Sequence, residues 1–173
     1  IKKYHPKHIC SIPAYIAPIA ELESMKNLDL SCMQTIGMGG EGMNVPMEIK
    51  LNDFLTEHRS SAKIVKGYGM TEVCATACSE FPFACKIGSV GIPLMHNVFM
   101  IYDNDAQVEL PYNQSGEICM QCASEMVGYK DNAEETERLY RIHSDGSRWI
   151  HTGDIGHMDE EGFLLVEGRM KRM

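Results

Sequence analysis

Long apolar runs are missing from this sequence. No stretch approaches the roughly 20 residues that a bilayer-spanning helix needs, so no transmembrane segment is expected. The N-terminal residues also lack the basic, apolar and small-residue order of a signal peptide. Cations are scarce: 16 Lys and Arg stand against 24 Asp and Glu, a formal net charge of -8. That balance excludes a general nucleic-acid binder, whose affinity comes from Lys and Arg neutralising phosphates. It leaves room for a single nucleotide, because a bound Mg2+ can mediate between carboxylates and phosphates. No glycine-rich loop ends in Gly-Lys-Ser/Thr, which excludes the phosphate loop of that type. Internal repeats and low-complexity segments are absent too.

What is present fits a globular chain. The 173 residues suffice for one ordinary domain or two small ones, and with 44% apolar and 23% charged residues a packed core is attainable. The seven cysteines are an odd number, which favours free thiols in a reducing, cytoplasmic setting over a disulfide framework. Cys119-x-x-Cys122 resembles half of a zinc knuckle. A second pair at matching spacing is lacking, and residues three apart in a strand point to opposite faces, so buried thiols are the simpler reading. Thirteen methionines read as soft core filler or as the lining of an adaptable apolar pocket.

Two halves follow different grammar. Residues 1–82 alternate strand and helix signals. Ile9–Ile12 reads as a strand stopped by Pro13, and Tyr15 to Lys26 as a partial helix that Pro18 kinks or delays. Met33–Ile36 is a second strand leading into the glycine-rich run Gly37–Gly42. A clear helix follows, with Pro46 and Glu48 in its first turn and Met47, Leu51, Phe54, Leu55 and His58 on one face. Ala62–Val65 is a third strand ending at Gly67-Tyr68-Gly69. This βαβαβ order implies an α/β fold with a parallel sheet, whose ligands bind beyond the carboxyl ends of the strands. Both glycine-rich loops fall at that edge, side by side. Residues 83–173 read as a small antiparallel sheet or distorted β-barrel subdomain. Its signals are hairpins at 98–110 and 155–167, a strand at 117–121, and a short helix at 133–139 capped by Asp131.

Several residues suit chemistry. Bare backbone at Gly39 and Gly40 lets a flat ring or phosphate approach, although a plain turn has the same composition. In Tyr68-Gly69-Met70-Thr71-Glu72 the ring can stack on a base, the hydroxyl can reach a phosphate oxygen, and the carboxylate can hold Mg2+. A core tyrosine followed by a helix capped by Thr71 would read the same way. Asp154, after His151-Thr152-Gly153, is suited to two ribose hydroxyls, or is a turn aspartate. Arg169 offers a planar fork to phosphate or ribose, or is a solvated basic residue. The remaining histidines read as surface or satisfied core groups.

The order of these motifs resembles the adenylate-forming (AMP-binding) superfamily, most of all the AMP-forming acyl-CoA ligases. Gly-Gly-Glu at 39–41 and Tyr-Gly-Met-Thr-Glu at 68–72 come first. Gly-Ser-Val-Gly-Ile-Pro at 88–93, Gly-Glu-Ile at 116–118 and Gly128-Tyr129 follow. Thr-Gly-Asp at 152–154 and Gly-Arg at 168–169 complete the set. The resemblance covers nearly everything from Gly37 onward.

It implies that Gly39, Gly40, Glu41, Tyr68, Gly69, Met70, Thr71, Asp154 and Arg169 contact the nucleotide. Thr71 and Glu72 would serve catalysis, with Glu72 holding Mg2+, and Lys171 would be the hinge to a mobile C-terminal domain. The implied reaction joins a carboxylic acid, expected to be a fatty acid, to Mg-ATP as acyl-AMP with release of pyrophosphate. The thiol of coenzyme A then displaces AMP. An adenylation unit loading a carrier-protein thiol is the alternative within the superfamily. A non-catalytic nucleotide-binding or metal-stapled module is the alternative outside it. The family's Ser/Thr/Gly-rich phosphate loop with its Lys, and the C-terminal domain with its catalytic Lys, do not occur in these residues. The chain is therefore expected to be the later part of the large domain and inactive alone.

Overall fold

The computed structural model describes Ile1 and residues 3–170, which form two compact units. The first comprises residues 1–67 and 80–89. Its elements are β1 (His8–Ser11), α1 (Pro13–Ala20), β2 (Thr35–Met38), α2 (Val45–Glu57) and most of β3 (Lys63–Met70). The three strands run parallel in that order, with Ile9 beside Ile36 and Ile36 beside Ile64. Each crossover carries a helix, the arrangement that strand-helix alternation demands.

Local chemistry sets these boundaries. Pro13 ends β1 and opens α1, where its missing N–H costs nothing. The helix therefore starts two residues earlier than Tyr15 and runs past Pro18 to Ala20 only. Asn44 caps α2 by accepting the Met47 N–H at 2.9 Å, and Pro46 lies in the first turn. The buried face of α2 presents Leu51 and Leu55 to Leu30, Met33, Ile36, Met38 and Ile64.

Glu48 is a surprise. It favours the helix dipole as expected, yet it is only 3% exposed and takes Lys66 Nζ at 2.5 Å and the Gly88 N–H at 3.0 Å. Glu80 completes this buried group, accepting the amides of Lys66 and Lys86 and lying 3.6 Å from Lys66 Nζ. A lysine between two carboxylates, with backbone donors on their remaining oxygens, satisfies charges that would otherwise be prohibitive to bury.

The second unit comprises residues 68–79 and 90–170, as far as described. It holds β4 (Ala75–Ser79), β5 (Ile92–Pro93), β6 (Asn97–Asp103), β7 (Val108–Glu109) and β8 (Gly116–Cys122). It continues with α3 (Ala133–Leu139), β9 (Tyr140–Ile142), β10 (Arg148–Met158) and β11 (Leu164–Arg169). Strands β11, β10, β8, β6 and β7 form an antiparallel sheet in that order, with β9 on β10. The period of two is visible in the burial. Ile118, Met120 and Ile150 enter one core with Phe99, Ile101 and Leu164. Cys119 and Trp149 pack on the other face with Met100.

Asn132, not Asp131, caps α3 by accepting the Glu135 N–H at 3.2 Å. Asp131 has a φ of +55°, a left-handed conformation outside the extended backbone that a cap adopts. Asp159 closes the last hairpin, accepting the amides of Glu161 and Phe163.

Candidate functional site

In the first unit, β2 delivers Gly39, Gly40 and Glu41. A Cβ on Gly39 would lie 3.7 Å from the Gly67 carbonyl, so the two glycine-rich loops are neighbours, as the parallel topology requires. Gly40 has a φ of +82°, which favours glycine. Glu41 is exposed, and its carboxylate accepts the Ala14 N–H at 2.6 Å at the start of α1. Sequence reasoning did not anticipate that capping bond.

The second unit brings Tyr68, Asp154 and Arg169 together. The Tyr68 hydroxyl donates to Asp154 Oδ2 at 2.7 Å, and Arg169 Nε lies 3.5 Å from Asp154 Oδ1. Burial, reinforced by the Asp154 charge against the hydrogen bond from Thr152, pushes the Tyr68 hydroxyl far above its ordinary range, so it stays a donor. Asp154 and Arg169 are cross-strand partners on β10 and β11, which fixes their approach. The aspartate is less open than its turn suggested, with a side chain 20% exposed and both oxygens engaged. Tyr68 also lies 6.3 Å from the Phe99 ring, in a tilted pair.

Gly69 and Met70 complete β3, and Thr71–Val73 form a single 3-10 turn. Thr71 does not cap it. Met70 is the extended residue before the turn, and Thr71 is exposed within it. Glu72 is held twice from residues 123–129. Its carbonyl accepts the Met126 N–H at 2.8 Å, and its carboxylate accepts the Tyr129 hydroxyl at 2.5 Å. Thr136 Oγ1 in turn accepts the Tyr129 amide, tying Tyr129 to α3.

The Thr152-Gly153-Asp154 segment is an irregularity in β10. The register with β8 shifts between His151 and Ile155, and Gly153 has a φ of +72°. Glu117 on β8 staples this segment. One of its oxygens accepts the Gly153 N–H at 2.9 Å, and the other meets His151 Nδ1 at 2.7 Å. Burial pushes the Glu117 carboxyl up, but hydrogen bonds from His151 and Asn104 outweigh that and hold it below its usual range. The His151 Nε2 lies 3.0 Å from His143 Nε2.

An open cleft of about 680 Å³ is bordered by Glu72, Tyr129, Thr152, Gly153 and Arg169, with Arg138 and Arg141 from α3 and β9. Of the expected residues, then, Glu72, Asp154, Tyr68 and Arg169 converge within one unit. Gly39, Gly40 and Glu41 belong to the other, and Lys171 lies outside the described residues. The sequence assigns no role to Glu117, Tyr129 or His151, although each stands inside a motif: Gly-Glu-Ile, Gly-Tyr and His-Thr-Gly-Asp.

A parallel βαβαβ unit followed by a curled antiparallel sheet, with motif residues at the strand ends, defines an adenylate-forming fold. The chain belongs to the AMP-binding enzyme family, whose model matches residues 1–130. It is 34% identical over 168 residues to a 4-coumarate--CoA ligase of Humulus lupulus, covering 94% of this chain and 29% of that protein. A 4-coumarate--CoA ligase of Glycine max is also 34% identical, with 94% of this chain and 54% of that protein covered. Among solved structures, a long-chain-fatty-acid-CoA ligase from Archaeoglobus fulgidus superposes with a TM-score of 0.86 at 24% identity, over 99% of this chain and 36% of that one. An o-succinylbenzoate coenzyme A synthetase from Bacillus subtilis, in complex with ATP and magnesium ion, gives 0.75 at 25% identity over 98% and 33%. The chain thus spans about a third to a half of the length of these relatives.

Proposed function

We propose that this chain is part of an enzyme that activates a carboxylic acid with Mg-ATP to acyl-AMP and pyrophosphate, then transfers the acyl group to the thiol of coenzyme A. The observation that carries the reading is the Tyr68–Asp154–Arg169 cluster, whose Arg169 borders the same cleft as Glu72. Each oxygen of Asp154 has a further lone pair, so the carboxylate can accept a ribose hydroxyl while Tyr68 fixes its orientation. Arg169 offers donors to ribose or phosphate. Gly39, Gly40 and Glu41 would serve the adenine, and Met70 and Thr71 the phosphates.

Mg2+ fits Glu72. One oxygen of that carboxylate is oriented by Tyr129 and the side chain borders the cleft. The ion would supply charge neutralisation where two anions must meet. The residues themselves bind and position; none acts as a nucleophile. Lys171 would be the hinge.

The acid itself is a finer matter. The methionine content does not argue for a fatty acid, because Met25, Met33, Met38, Met100 and Met120 are buried in the cores. The relatives named for 4-coumarate favour an aromatic propenoic acid instead. The test is carboxylate-dependent ATP–pyrophosphate exchange by the complete parent protein, with 4-coumarate and medium- and long-chain fatty acids in one panel. Exchange with at least one acid is expected, strongest with 4-coumarate. Silence across the panel overturns the ligase reading. Subsequent thioester formation with coenzyme A, against a carrier-protein thiol, assigns the acceptor.

A further inference from the structure

The second face of the antiparallel sheet carries three metal-ligating groups that the nucleotide reading does not use as ligands. Glu117 and Cys119 are two residues apart on β8, so both leave the same face. His151 on β10 is the register partner of Cys119 and lands on that face as well. Cys122, three residues on from Cys119, packs into the opposite core, as its spacing foretold. Strand register therefore gives Cys119 a different set of partners from the one a Cys-x-x-Cys reading supplies.

The donor atoms are close. Cys119 Sγ lies 3.5 Å from His151 Nδ1, and His151 Nδ1 lies 2.7 Å from Glu117 Oε2. All three ligand atoms fall within 4.8 Å of one another. Bonds of about 2.0 Å to N and O and about 2.3 Å to S imply ligand-to-ligand edges near 3.3–3.7 Å around a tetrahedral zinc. The sulfur–imidazole edge already fits, and the carboxylate–imidazole contact must open by about 0.6 Å on those bond lengths. The groups are 3%, 0% and 5% exposed, so their surroundings hold them in place. Glu117 and His151 nevertheless border the cleft, which provides an entry path.

The surroundings suit an ion. His143 Nε2 stands 3.0 Å from the far nitrogen of His151 and can accept its proton when Nδ1 is a ligand. Asn104 Nδ2 at 2.8 Å and the Gly153 amide at 2.9 Å orient the Glu117 carboxylate. Arg141 is the opposing charge, 4.0 Å from Glu117 Oε2, but it is half exposed and also donates to Asn104. One sulfur, one imidazole and one carboxylate select a borderline-soft ion over Mg2+, which demands oxygen ligands.

We propose that Glu117, Cys119 and His151 form a site for a thiophilic divalent cation of the zinc class, with a fourth position open to the cleft. On binding, the Cys119 thiol releases its proton to solvent and becomes the thiolate ligand, with no change in oxidation state. Because Glu117 also holds the Gly153 amide, the ion would brace the segment that presents Asp154. The proposal does not depend on the ligase reading.

The test uses the complete parent protein without nucleotide. Equilibration with Zn2+ should leave one equivalent bound after desalting. Co2+ in its place should give an intense thiolate charge-transfer band. Cys119→Ser should abolish the band and weaken binding at least roughly tenfold, and His143→Ala should weaken it roughly tenfold. Cys122→Ser should change neither. X-ray absorption on the zinc-loaded natural protein should show one sulfur among nitrogen and oxygen neighbours, a readout independent of how any variant folds. A coordination shell without sulfur, less than stoichiometric zinc, or Cys119→Ser binding at natural strength overturns the site.

Discussion

Asp154 owes its place to three other residues. Tyr68 and Arg169 occupy its two oxygens, and the Glu117 staple on Gly153 sets the backbone from which it projects. Hydrogen bonds to an ionised group are worth about 1.5–3 kcal/mol, so losing this carboxylate should raise the Michaelis constant for ATP by roughly ten- to a hundredfold. Asp154→Ala in the complete protein checks this through pyrophosphate exchange at varied ATP; an unaltered ATP dependence removes the residue from the site. Tyr129 makes a separate prediction. Its hydroxyl fixes Glu72 at 2.5 Å, and Tyr129→Phe deletes that bond while keeping the ring. A loss of about 1 kcal/mol corresponds to a roughly fivefold rise in the Mg2+ concentration for half-maximal rate, with the acid's Michaelis constant unmoved. A shift in the acid constant alone would assign Tyr129 to the wrong substrate. Tyr68, Glu72, Asp154 and Arg169 could be picked out as candidates in the sequence because each sits in a motif with fixed order. The role of Tyr129 could not, since 57 residues separate it from Glu72 and only the folded chain joins them.

The elements were legible where their signals are local. Period 3.6 located α2, period 2 located β6 and β8, and turn residues located both hairpins. What escaped depends on register between distant strands. The pairing of His151 with Cys119 and the Glu48–Lys66–Glu80 group are both invisible to a reading that treats each segment alone. Close backbone approach escapes for the same reason, and it yields a stability prediction. A Cβ on Gly156 would sit 2.2 Å from the Leu165 carbonyl across the β10–β11 pair, and on Gly69 it would sit 1.7 Å from the Ala75 carbonyl. Backbone atoms cannot step aside as a flexible side chain can. Gly156→Ala should therefore destabilise the second unit by about 2 kcal/mol, an overpacking cost, and Gly69→Ala by at least as much. Urea unfolding followed by tryptophan fluorescence suits the measurement, because the single Trp149 lies on β10. An unshifted midpoint would mean that the strands part without cost. In the first unit, Lys66→Met removes the cation from between Glu48 and Glu80, side chains 5% and 0% exposed. Stranding two buried carboxylates should cost about 3 kcal/mol or more. The double substitution of Lys66 and Glu48 by apolar residues should recover part of it, and a Lys66→Met variant as stable as the natural protein would show the group to be solvated.

At the scale of the whole molecule, each unit has its own core, yet the cations available to a nucleotide are few. The cleft of the second unit offers Arg138, Arg141 and Arg169. Arg138 is already engaged by Glu134 and Glu135, Arg141 by Asn104 and Glu117, and Arg169 by Asp154. The chain as a whole carries a net charge of -8 and contains no Ser/Thr/Gly-rich phosphate loop ending in lysine. Bringing a carboxylate to the α-phosphate of ATP joins two anions, and the barrier falls only if fixed positive charge meets the charge that develops. Glu72 with Mg2+ would supply part of that neutralisation, and among the described residues of the cleft every arginine is already engaged. The chain also spans only 29% of the Humulus lupulus ligase it resembles. The expected outcome is that the isolated 173-residue polypeptide, folded and supplied with Mg-ATP and any acid that serves the complete protein, forms no acyl-adenylate. The same acid should support exchange by the complete protein in a parallel assay, so that a dead substrate and an incomplete site give different results. Acyl-AMP detected by mass spectrometry from the isolated chain, at a rate above the enzyme-free background, would show that Tyr68, Glu72, Asp154 and Arg169 suffice for the chemistry. The phosphate-binding elements found elsewhere in the family would then be reduced to aids in binding.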